Sequence, residues 1–215
     1  GELAGFKVER IISEPTAAAI AYGLYERKRN TRFLVFDLGG GTFDVSILDL
    51  YQNILEVRAV AGDNYLGGED FTDVMERIFL RDHGLEEEKL DRRTLVNIHS
   101  QAEKAKLRLS DSRETEMSCK VDGEVLTTKV EYSQYERVCE NLLARIRKPV
   151  QRSLSDAHIK LSDIDVIVLV GGATKFQIVR DFIIKLFKKF PDTSVNPDEA
   201  VALGAAIQAA MKERN

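Results

Sequence analysis

A run of three glycines between two apolar stretches constrains this chain more than any other feature. Residues 37–44 read DLGGGTFD. The flanking residues 33–37 and 43–50 predict two strands, and residues 39–42 predict the tight turn that joins them. Consecutive glycines cost conformational entropy, so such a run is favoured where the backbone approaches a ligand closely. The hairpin therefore predicts an anion-binding turn whose backbone N–H groups point outward.

The same hairpin brings two carboxylates together. If residues 39–42 form the turn, Asp37 faces Asp44 across the ladder. Like charges in directly opposite positions destabilise a sheet, and a cation or a water network between them would remove the repulsion. A hydrated Mg²⁺ that bridges to phosphates is the natural candidate, because this ion is held by one or two carboxylates and phosphate oxygens. A mobile hairpin with solvated acids is the alternative, since glycine-rich turns are common.

The remaining pattern is mixed. Apolar and β-branched runs predict strands at residues 8–12, 33–37, 43–50, 53–61, 116–121, 125–131 and 165–170. Helical spacing predicts helices at residues 16–26, 70–82, 91–109 and 133–157, after residue 174 up to 187, and from 196 onward. Ser133 with Glu136 is typical of a capping box, and Asn196 of a helix cap. The fold class expected is α/β, a mixed sheet with helices, in which residues 68–145 are inserted as a smaller α/β subdomain.

Composition excludes some functions. The chain has 215 residues and a formal net charge of −4. That charge gives no reason to expect nucleic-acid or membrane binding, so a phosphate would be bound by local geometry. Cys119 and Cys139 have neither metal-ligand spacing nor a disulfide framework. The longest apolar run, residues 166–173, is too short to cross a bilayer, and no signal peptide is recognised. The opening residues GELAGFKVERIISEP are typical of mid-protein sequence, so we expect a piece of a longer protein.

Five segments in a fixed order carry a family resemblance. They are EPTAAAIAYG (14–23), DLGGGTFDVS (37–46), AGDNYLGGEDF (61–71), VLVGGATK (168–175) and NPDEAVALGAAIQAA (196–210). Together they resemble the DnaK-type heat-shock chaperones of the actin-like ATPase superfamily, over essentially the whole chain. Parts of these sequence segments also resemble the HscC-type bacterial branch. The resemblance implies lobe II of an actin-like (ribonuclease H-like) ATPase, with residues 1–67 and 146–215 as subdomain IIA and 68–145 as subdomain IIB.

The resemblance implies ATP or ADP, Mg²⁺ and K⁺ as cofactors. The turn residues would contact the phosphates: Gly39, Gly40, Gly41 and Thr42. Asp37 would orient the attacking water or hold Mg²⁺ through water, and Asp44 would support the metal and the monovalent ion. Glu14 would position or activate that water. The alternative for Glu14 is an acid that precedes a helix and has no catalytic role.

Further nucleotide contacts, mainly to the adenosine, are implied on four other segments. The matching residues are Gly68, Glu103, Lys106, Ser110, Gly171, Gly172, Ala173, Lys175 and Asp198. Residues 103, 106 and 110 share one helix face, and an exposed salt bridge is the alternative account of them. For residues 171–173 the alternative is close packing between a strand and a helix.

Two positions depart from the family pattern. Typical members stack arginines on both sides of the adenine, and the matching residues here are Leu107 and Lys175. Neither side chain offers a planar guanidinium. The loss of this stacking is worth about 1–2 kcal/mol, or roughly tenfold in affinity, so we expect weaker adenosine-nucleotide binding than in typical relatives.

Alanine-rich segments suggest a hinge. Residues 17–23 and 202–210 are rich in alanine and glycine, which lets two helices approach closely. Alanine is also the best helix former, but Gly204 inside a helix argues against propensity as the whole explanation. In the resembled family these helices cross between two lobes.

The resemblance also implies partners: an N-terminal ATPase lobe and a C-terminal peptide-binding domain in the parent protein, a J-domain co-chaperone and a nucleotide-exchange factor. It implies a cytoplasmic location, and little ATPase activity for residues 1–215 alone, because phosphoryl transfer needs positioning from both lobes. Two alternatives are a lobe of a sugar-kinase-like enzyme and a docking module for an exchange factor or co-chaperone. No sugar-site motif is evident, which disfavours the first.

Overall fold

The chain forms a mixed α/β structure, as expected. The computed structural model describes residues 1–8, 10–23, 30–51 and 54–212. The strands are β1 (Thr31–Leu38), β2 (Phe43–Tyr51), β3 (Ile54–Asp63), β4 (Glu114–Val121), β5 (Glu124–Glu131) and β6 (Val166–Val170). The helices are α1 (Glu14–Ala21), α2 (Gly68–Asp82), α3 (Arg92–Arg108), α4 (Tyr132–Val138), α5 (Glu140–Asp156), α6 (Gln177–Phe187) and α7 (Ala200–Lys212).

A four-stranded sheet in the order β3-β2-β1-β6 organises the molecule. β1 pairs antiparallel with β2 and parallel with β6, so the two ends of the described sequence meet in one sheet. Strands β4 and β5 form a separate two-stranded hairpin. The division of the chain into two subdomains stays a prediction.

The middle of strand β1, residues 33–36, is apolar because helices cover both faces of the strand. Leu34, Phe36 and Leu38 belong to a core with residues of α2, α3, α5 and α6. Phe33 and Val35 belong to a second core, on the opposite face, with residues of α1 and the first residue of α7. The apolar run at residues 33–36 thus reflects burial on both sides, and the sheet is the middle layer between two groups of helices.

The expected strand at residues 8–12 is wrong for the described part of that segment. Val8 and residues 10–12 lie in no strand, and Ile11 is 89% exposed. A β-branched run forms a strand only where it finds a pleated surface to pair with, and these residues have no such neighbour. Propensity alone was therefore a poor guide here.

Three helix boundaries also differ from expectation. Helix α1 already begins at Glu14 and ends at Ala21, because Gly23 adopts a left-handed φ of 75° that stops it. The expected continuation over residues 24–26 lies outside the described residues. The capping box at Ser133 is wrong: α4 begins one residue earlier, directly after β5, so Ser133 is already inside the helix.

Helix α7 begins at Ala200, later than expected. Residues 196–199 form a separate turn in which the Glu199 N–H donates to the Asn196 carbonyl at 3.0 Å. Asn196 caps this turn, since its Oδ1 accepts from the Asp198 N–H at 3.3 Å. The Pro197 carbonyl accepts from the Gly171 N–H at 3.1 Å, which fixes the turn against the end of β6.

Candidate functional site

Several glycine-bearing turns meet at one end of the sheet. β1 and β6 are parallel neighbours, paired up to Asp37 and Val170, so their carboxyl ends lie side by side. The turn at residues 39–42 follows β1, and the turn at 171–172 follows β6. Ligand sites of open α/β sheets lie at the carboxyl ends of the strands. The sequence-predicted phosphate and adenosine turns are thus brought to one edge.

The hairpin turn is held by backbone hydrogen bonds to the start of α2. Within the turn, the Gly39 N–H donates to the Thr42 carbonyl at 3.0 Å. From α2, the Gly68 N–H donates to the Gly39 carbonyl at 2.8 Å, and the Glu69 N–H to the Gly40 carbonyl at 2.9 Å. The carbonyls of the turn therefore face the protein, while Gly40 and Thr42 are exposed. This leaves the open side of the turn free to contact a ligand.

Gly67 permits this close approach, although the sequence analysis did not select it. A Cβ on Gly67 would lie 2.2 Å from the Gly40 carbonyl oxygen and 2.3 Å from the Gly41 nitrogen. No side chain fits such a space. The paired glycines in LGGED were the available signal, because a glycine beside a tight turn marks a close backbone contact.

Gly171 has the same role on the other side of the turn. Its φ of 86° lies in the left-handed region, and a Cβ would lie 2.3 Å from the Leu38 carbonyl oxygen. At Gly172 a Cβ would lie 2.9 Å from Asp198 Oδ1. The Lys175 ammonium in turn donates to Asp198. Four of the predicted adenosine residues therefore form one local group: Gly171, Gly172, Lys175 and Asp198.

The three predicted catalytic carboxylates influence one another. Asp37 and Asp44 are directly opposite in the β1–β2 ladder, as the spacing predicted. Burial first, and then the negative charges of Glu14 and Asp44, raise the pKa of Asp37 to about 6. Asp44 and Glu14 themselves are exposed. The arrangement is a half-buried acid between two solvated ones, a setting that a cation would stabilise.

Gly62 makes room for the Asp44 side chain. It pairs with Asp44 across β2 and β3, and a Cβ there would lie 2.3 Å from Asp44 Oδ1. Gly62 was not predicted as a site residue either. Its place in AGDNYLGG, at the end of a predicted strand, was the signal that could have indicated this close contact.

Lys106 is buried rather than solvated. Its side chain is only 5% exposed, and its Nζ donates to the Gly68 carbonyl at 3.0 Å and to Thr72 Oγ1 at 2.6 Å. The same ammonium lies 4.4 Å from the centre of the Phe176 ring. Burial lowers the pKa of Lys106, and nearby carboxylates, Glu103 first, oppose that shift. The alternative of an exposed salt bridge is therefore wrong for Lys106.

The other two residues of that helix face behave differently. Glu103 is exposed. Ser110 is partly buried and lines a small cavity with Lys106 and Phe176. Ala173 lies on the other side of Gly68, where its Cβ is 3.3 Å from the position of a Gly68 Cβ. Gly68 is thus the point at which the phosphate turn, Lys106 and the segment after β6 come together.

Helices α1 and α7 cross at the expected glycine. A Cβ on Gly204 would lie 1.7 Å from the Ala17 carbonyl oxygen. Ala17, Ala18 and Ala19 are fully buried. The small residues are thus required by the crossing and do not merely reflect helix propensity.

The described molecule is an open mixed α/β sheet with glycine turns gathered at the carboxyl ends of its parallel strands. The family model of "Hsp70 protein" matches residues 1–215. The chain belongs to the Hsp70 family.

Individual relatives agree with the family match. The chain is 47% identical over 219 residues to "Heat shock 70 kDa protein 7, chloroplastic" of Arabidopsis thaliana, covering 97% of this chain and 30% of that protein. It is 46% identical over 221 residues to "Chaperone protein DnaK" of Thermosipho africanus, covering 98% and 37%. It is also 46% identical over 219 residues to "Stromal 70 kDa heat shock-related protein, chloroplastic" of Pisum sativum, covering 97% and 31%. The chain thus spans about a third of the length of these relatives.

Among the residues that the structure describes, none of the helices is both long and apolar enough to cross a bilayer.

Proposed function

We propose that this chain supplies one wall of the ATP site of a DnaK-type molecular chaperone. The observation that carries the proposal is the hairpin at residues 39–42. Its carbonyls are bound by the start of α2, and its glycines are exposed toward the sheet edge. Outward backbone N–H groups with the Thr42 hydroxyl suit phosphate oxygens. Each such charge-assisted hydrogen bond contributes about 1.5–3 kcal/mol.

The carboxylates beside this turn fit a hydrated divalent cation. Asp37 is half-buried next to Asp44 and Glu14, and burial first and these two charges second raise its pKa to about 6. Oxygen ligands are those that Mg²⁺ prefers. Asp37 and Asp44 would hold the ion mainly through water, and the ion would neutralise phosphate charge. Asp44, in the space left by Gly62, would also face K⁺.

The chain's own residues would position the attacking water. Asp37 and Glu14 are close enough for the charge of one to raise the pKa of the other. A carboxylate pair of this kind orients a water and accepts its proton. Glu14 stands in the first turn of α1, the helix that crosses α7, so a movement of this crossing would also move Glu14.

The adenosine would lie between α3 and the segment after β6. Lys106 anchors the start of α2 to α3, and Ser110 lines the adjoining cavity with it. On the other side, Gly172 leaves room for Asp198, which accepts from Lys175. Glu103, Gly171 and Ala173 complete the set of proposed contacts.

The activity of the whole protein is part of the proposal, because the chain covers about a third of its relatives' length. We propose that the parent protein hydrolyses ATP and thereby drives binding and release of client peptides. An N-terminal lobe, a peptide-binding domain, a J-domain co-chaperone and an exchange factor would be its partners. We further propose a cytoplasmic location. Membership of the Hsp70 family favours this function over a sugar-kinase lobe.

The test uses the two-lobed nucleotide-binding domain of the parent protein. Asp37→Asn removes the proposed water-positioning charge, and we expect the Mg²⁺-dependent turnover of ATP to fall by about 10² or more while the domain stays folded. Glu124→Gln, on the remote strand β5, is the matched control, and its turnover should equal that of the parent domain.

Two results would contradict the proposal. One is undiminished turnover in Asp37→Asn. The other is substantial Mg²⁺-dependent turnover by residues 1–215 alone, since the proposal places the opposite wall of the site in another lobe.

A further inference from the structure

A cluster of one imidazole and three carboxylates lies between α2 and α3. Asp73 and Glu76 on α2 and His99 on α3 each offer one ligand atom, and these three atoms all lie within 4.8 Å of one another. Glu69, on the same face of α2, brings its Oε2 to 3.3 Å from His99 Nε2. None of these four residues belongs to the proposed nucleotide site.

The imidazole meets a carboxylate at each of its nitrogens. Glu76 Oε1 lies 2.5 Å from Nδ1, while Glu69 faces Nε2. A neutral imidazole has one N–H and can donate to only one of the two. The other contact needs a second positive centre, either a proton on the ring or a cation between the groups.

The charge balance of the cluster also calls for a cation. It has three carboxylates, from Glu69, Asp73 and Glu76, and they are opposed by one imidazole and by the Lys106 ammonium, whose charge interacts with Glu69 and Asp73. The Glu76 side chain is only 22% exposed, so its charge is partly removed from water. Partial burial of a charge is costly unless the charge is paired or binds a metal.

We propose that Asp73, Glu76 and His99 bind a divalent transition-metal ion such as zinc, while Glu69 accepts from the other ring nitrogen of His99. Imidazole with carboxylates suits zinc and its first-row neighbours, whereas Mg²⁺ and Ca²⁺ prefer oxygen alone. Ligand atoms around a tetrahedral zinc ion are about 3.4 Å apart, given bonds of about 2.0–2.2 Å. The three present ligand atoms, all within 4.8 Å of one another, are near that spacing.

A metal here would join α2 to α3 close to the nucleotide wall. Glu69 contacts the proposed ligand His99 through its side chain, and its backbone N–H donates to the Gly40 carbonyl. Binding would therefore restrain the same helix start that holds the hairpin turn. Because the ion binds the folded chain, it should raise the melting temperature.

Other soft ligands in the described residues compete poorly for zinc. Cys119 and Cys139 are buried, and burial raises their pKa values to about 11 and 12, which keeps them as thiols. The ring of His83 already contacts Thr128 Oγ1 at 3.0 Å. His158 is exposed and serves as the comparison.

The test is titration calorimetry of the 215-residue chain with zinc ion at neutral pH, without nucleotide, followed by a thermal melt. We expect one zinc per chain and a higher melting temperature. His99→Gln and Glu76→Gln should each weaken zinc binding by about tenfold or more. His158→Asn is the matched control: it removes an exposed imidazole, and asparagine tolerates the φ of 55° at that position. It should leave zinc binding unchanged.

Three outcomes would overturn the inference: no zinc binding by the parent chain, equal affinity in His99→Gln and the parent, or loss of zinc binding in Asp37→Asn. The last would place the ion at the nucleotide-site carboxylates. None of the three bears on ATP turnover, so this inference and the proposed function fail separately.

Discussion

The two ends of the proposed nucleotide site are built in different ways. At the phosphate end, backbone meets backbone, with Gly67 against Gly40 and Gly171 against Leu38, and no space for a Cβ at either contact. At the base end, side chains make the surface, with Lys106 anchored by hydrogen bonds and Lys175 paired to Asp198. A backbone-built wall tolerates no added atom, whereas a side-chain-built wall tolerates exchange at a moderate cost. Leu107 and Lys175, the two positions at which we expect a departure from the family pattern, both belong to the proposed base end.

The largest effect is expected where α1 crosses α7. Gly204→Leu places its Cβ 1.7 Å from the Ala17 carbonyl oxygen, so the helices must separate. We expect unfolding or a loss of more than about 3 kcal/mol in the free energy of unfolding, measured by urea titration. Ala206→Leu, at an exposed position of the same helix, is the control and should be nearly neutral. An unchanged melting temperature in Gly204→Leu would show that the crossing is not required.

A smaller but still large effect is expected within the phosphate wall. Gly67→Ala forces the start of α2 away from the hairpin turn, at a cost of about 1–3 kcal/mol in stability. Gly40→Ala lies in the same wall but meets no atom within 4 Å, and its φ is not left-handed. Thermal unfolding should therefore separate the two variants. Equal melting temperatures would show that the close backbone contact at Gly67 does not constrain this wall.

Lys106 is the strongest anchor of the side-chain end. Lys106→Met keeps the buried length but removes the donor to Thr72 Oγ1 and leaves the Gly68 carbonyl only its longer hydrogen bond, 3.4 Å, from the Thr72 hydroxyl. A loss of about 1–2 kcal/mol is expected, less than at Gly67 because one polar partner is a rotatable hydroxyl. Lys104→Met, two residues away and exposed, is the control. Identical urea midpoints for the two variants would contradict an anchoring role.

The pH dependence of stability tests the carboxylate pair. The pKa of Asp37 is raised from 3.8 to about 6, so the folded state binds this proton more tightly than the unfolded state. Between these values the folded chain holds more protons, and its stability falls as the pH rises. Asp37→Asn should therefore stabilise the metal-free chain at pH 7 by about 1 kcal/mol, a value reduced for solvent screening, with little gain below about pH 4. Melting curves at both pH values would check this, and a gain of equal size at both would refute it.

At the adenine positions we expect an effect on nucleotide affinity and none on stability. Leu107 is 48% exposed, so an arginine fits there without repacking, and Lys175→Arg keeps the charge beside Asp198. In the two-lobed domain, the double change Leu107→Arg with Lys175→Arg should tighten ATP binding by about tenfold through stacking. Calorimetry that shows the same affinity before and after would mean that the base end does not depend on these side chains.

The sequence predicted well what depends on local spacing. Three glycines between two apolar runs were enough to predict the hairpin and the facing of Asp37 and Asp44. Gly204 in an alanine-rich helix was enough to predict a close crossing with the segment around Ala17. In each case a residue type that is costly in isolation indicated a specific contact.

Contacts between distant segments could not be predicted from spacing. The burial of Lys106 depends on Gly68, Thr72 and Phe176, which come from three separate parts of the chain. The late start of α7 depends on the hydrogen bond between Gly171 and Pro197, which local capping patterns do not contain. The strand predicted at residues 8–12 is wrong in its described part for the converse reason, since strand propensity says nothing about whether a partner strand is near.

The parallel pairing of β1 with β6 has a consequence for how the chain is made. Phe33 pairs with Val166, so one side of β1 has no partner strand until the chain has been synthesised as far as Val166. An apolar strand with an unpaired side is a site for wrong association, and contacts between distant segments form slowly. The helix crossing of α1 with α7 closes later still, because Gly204 follows β6. During synthesis this chain thus has a central strand that is paired on one side only. Such a state is of the kind that chaperones protect.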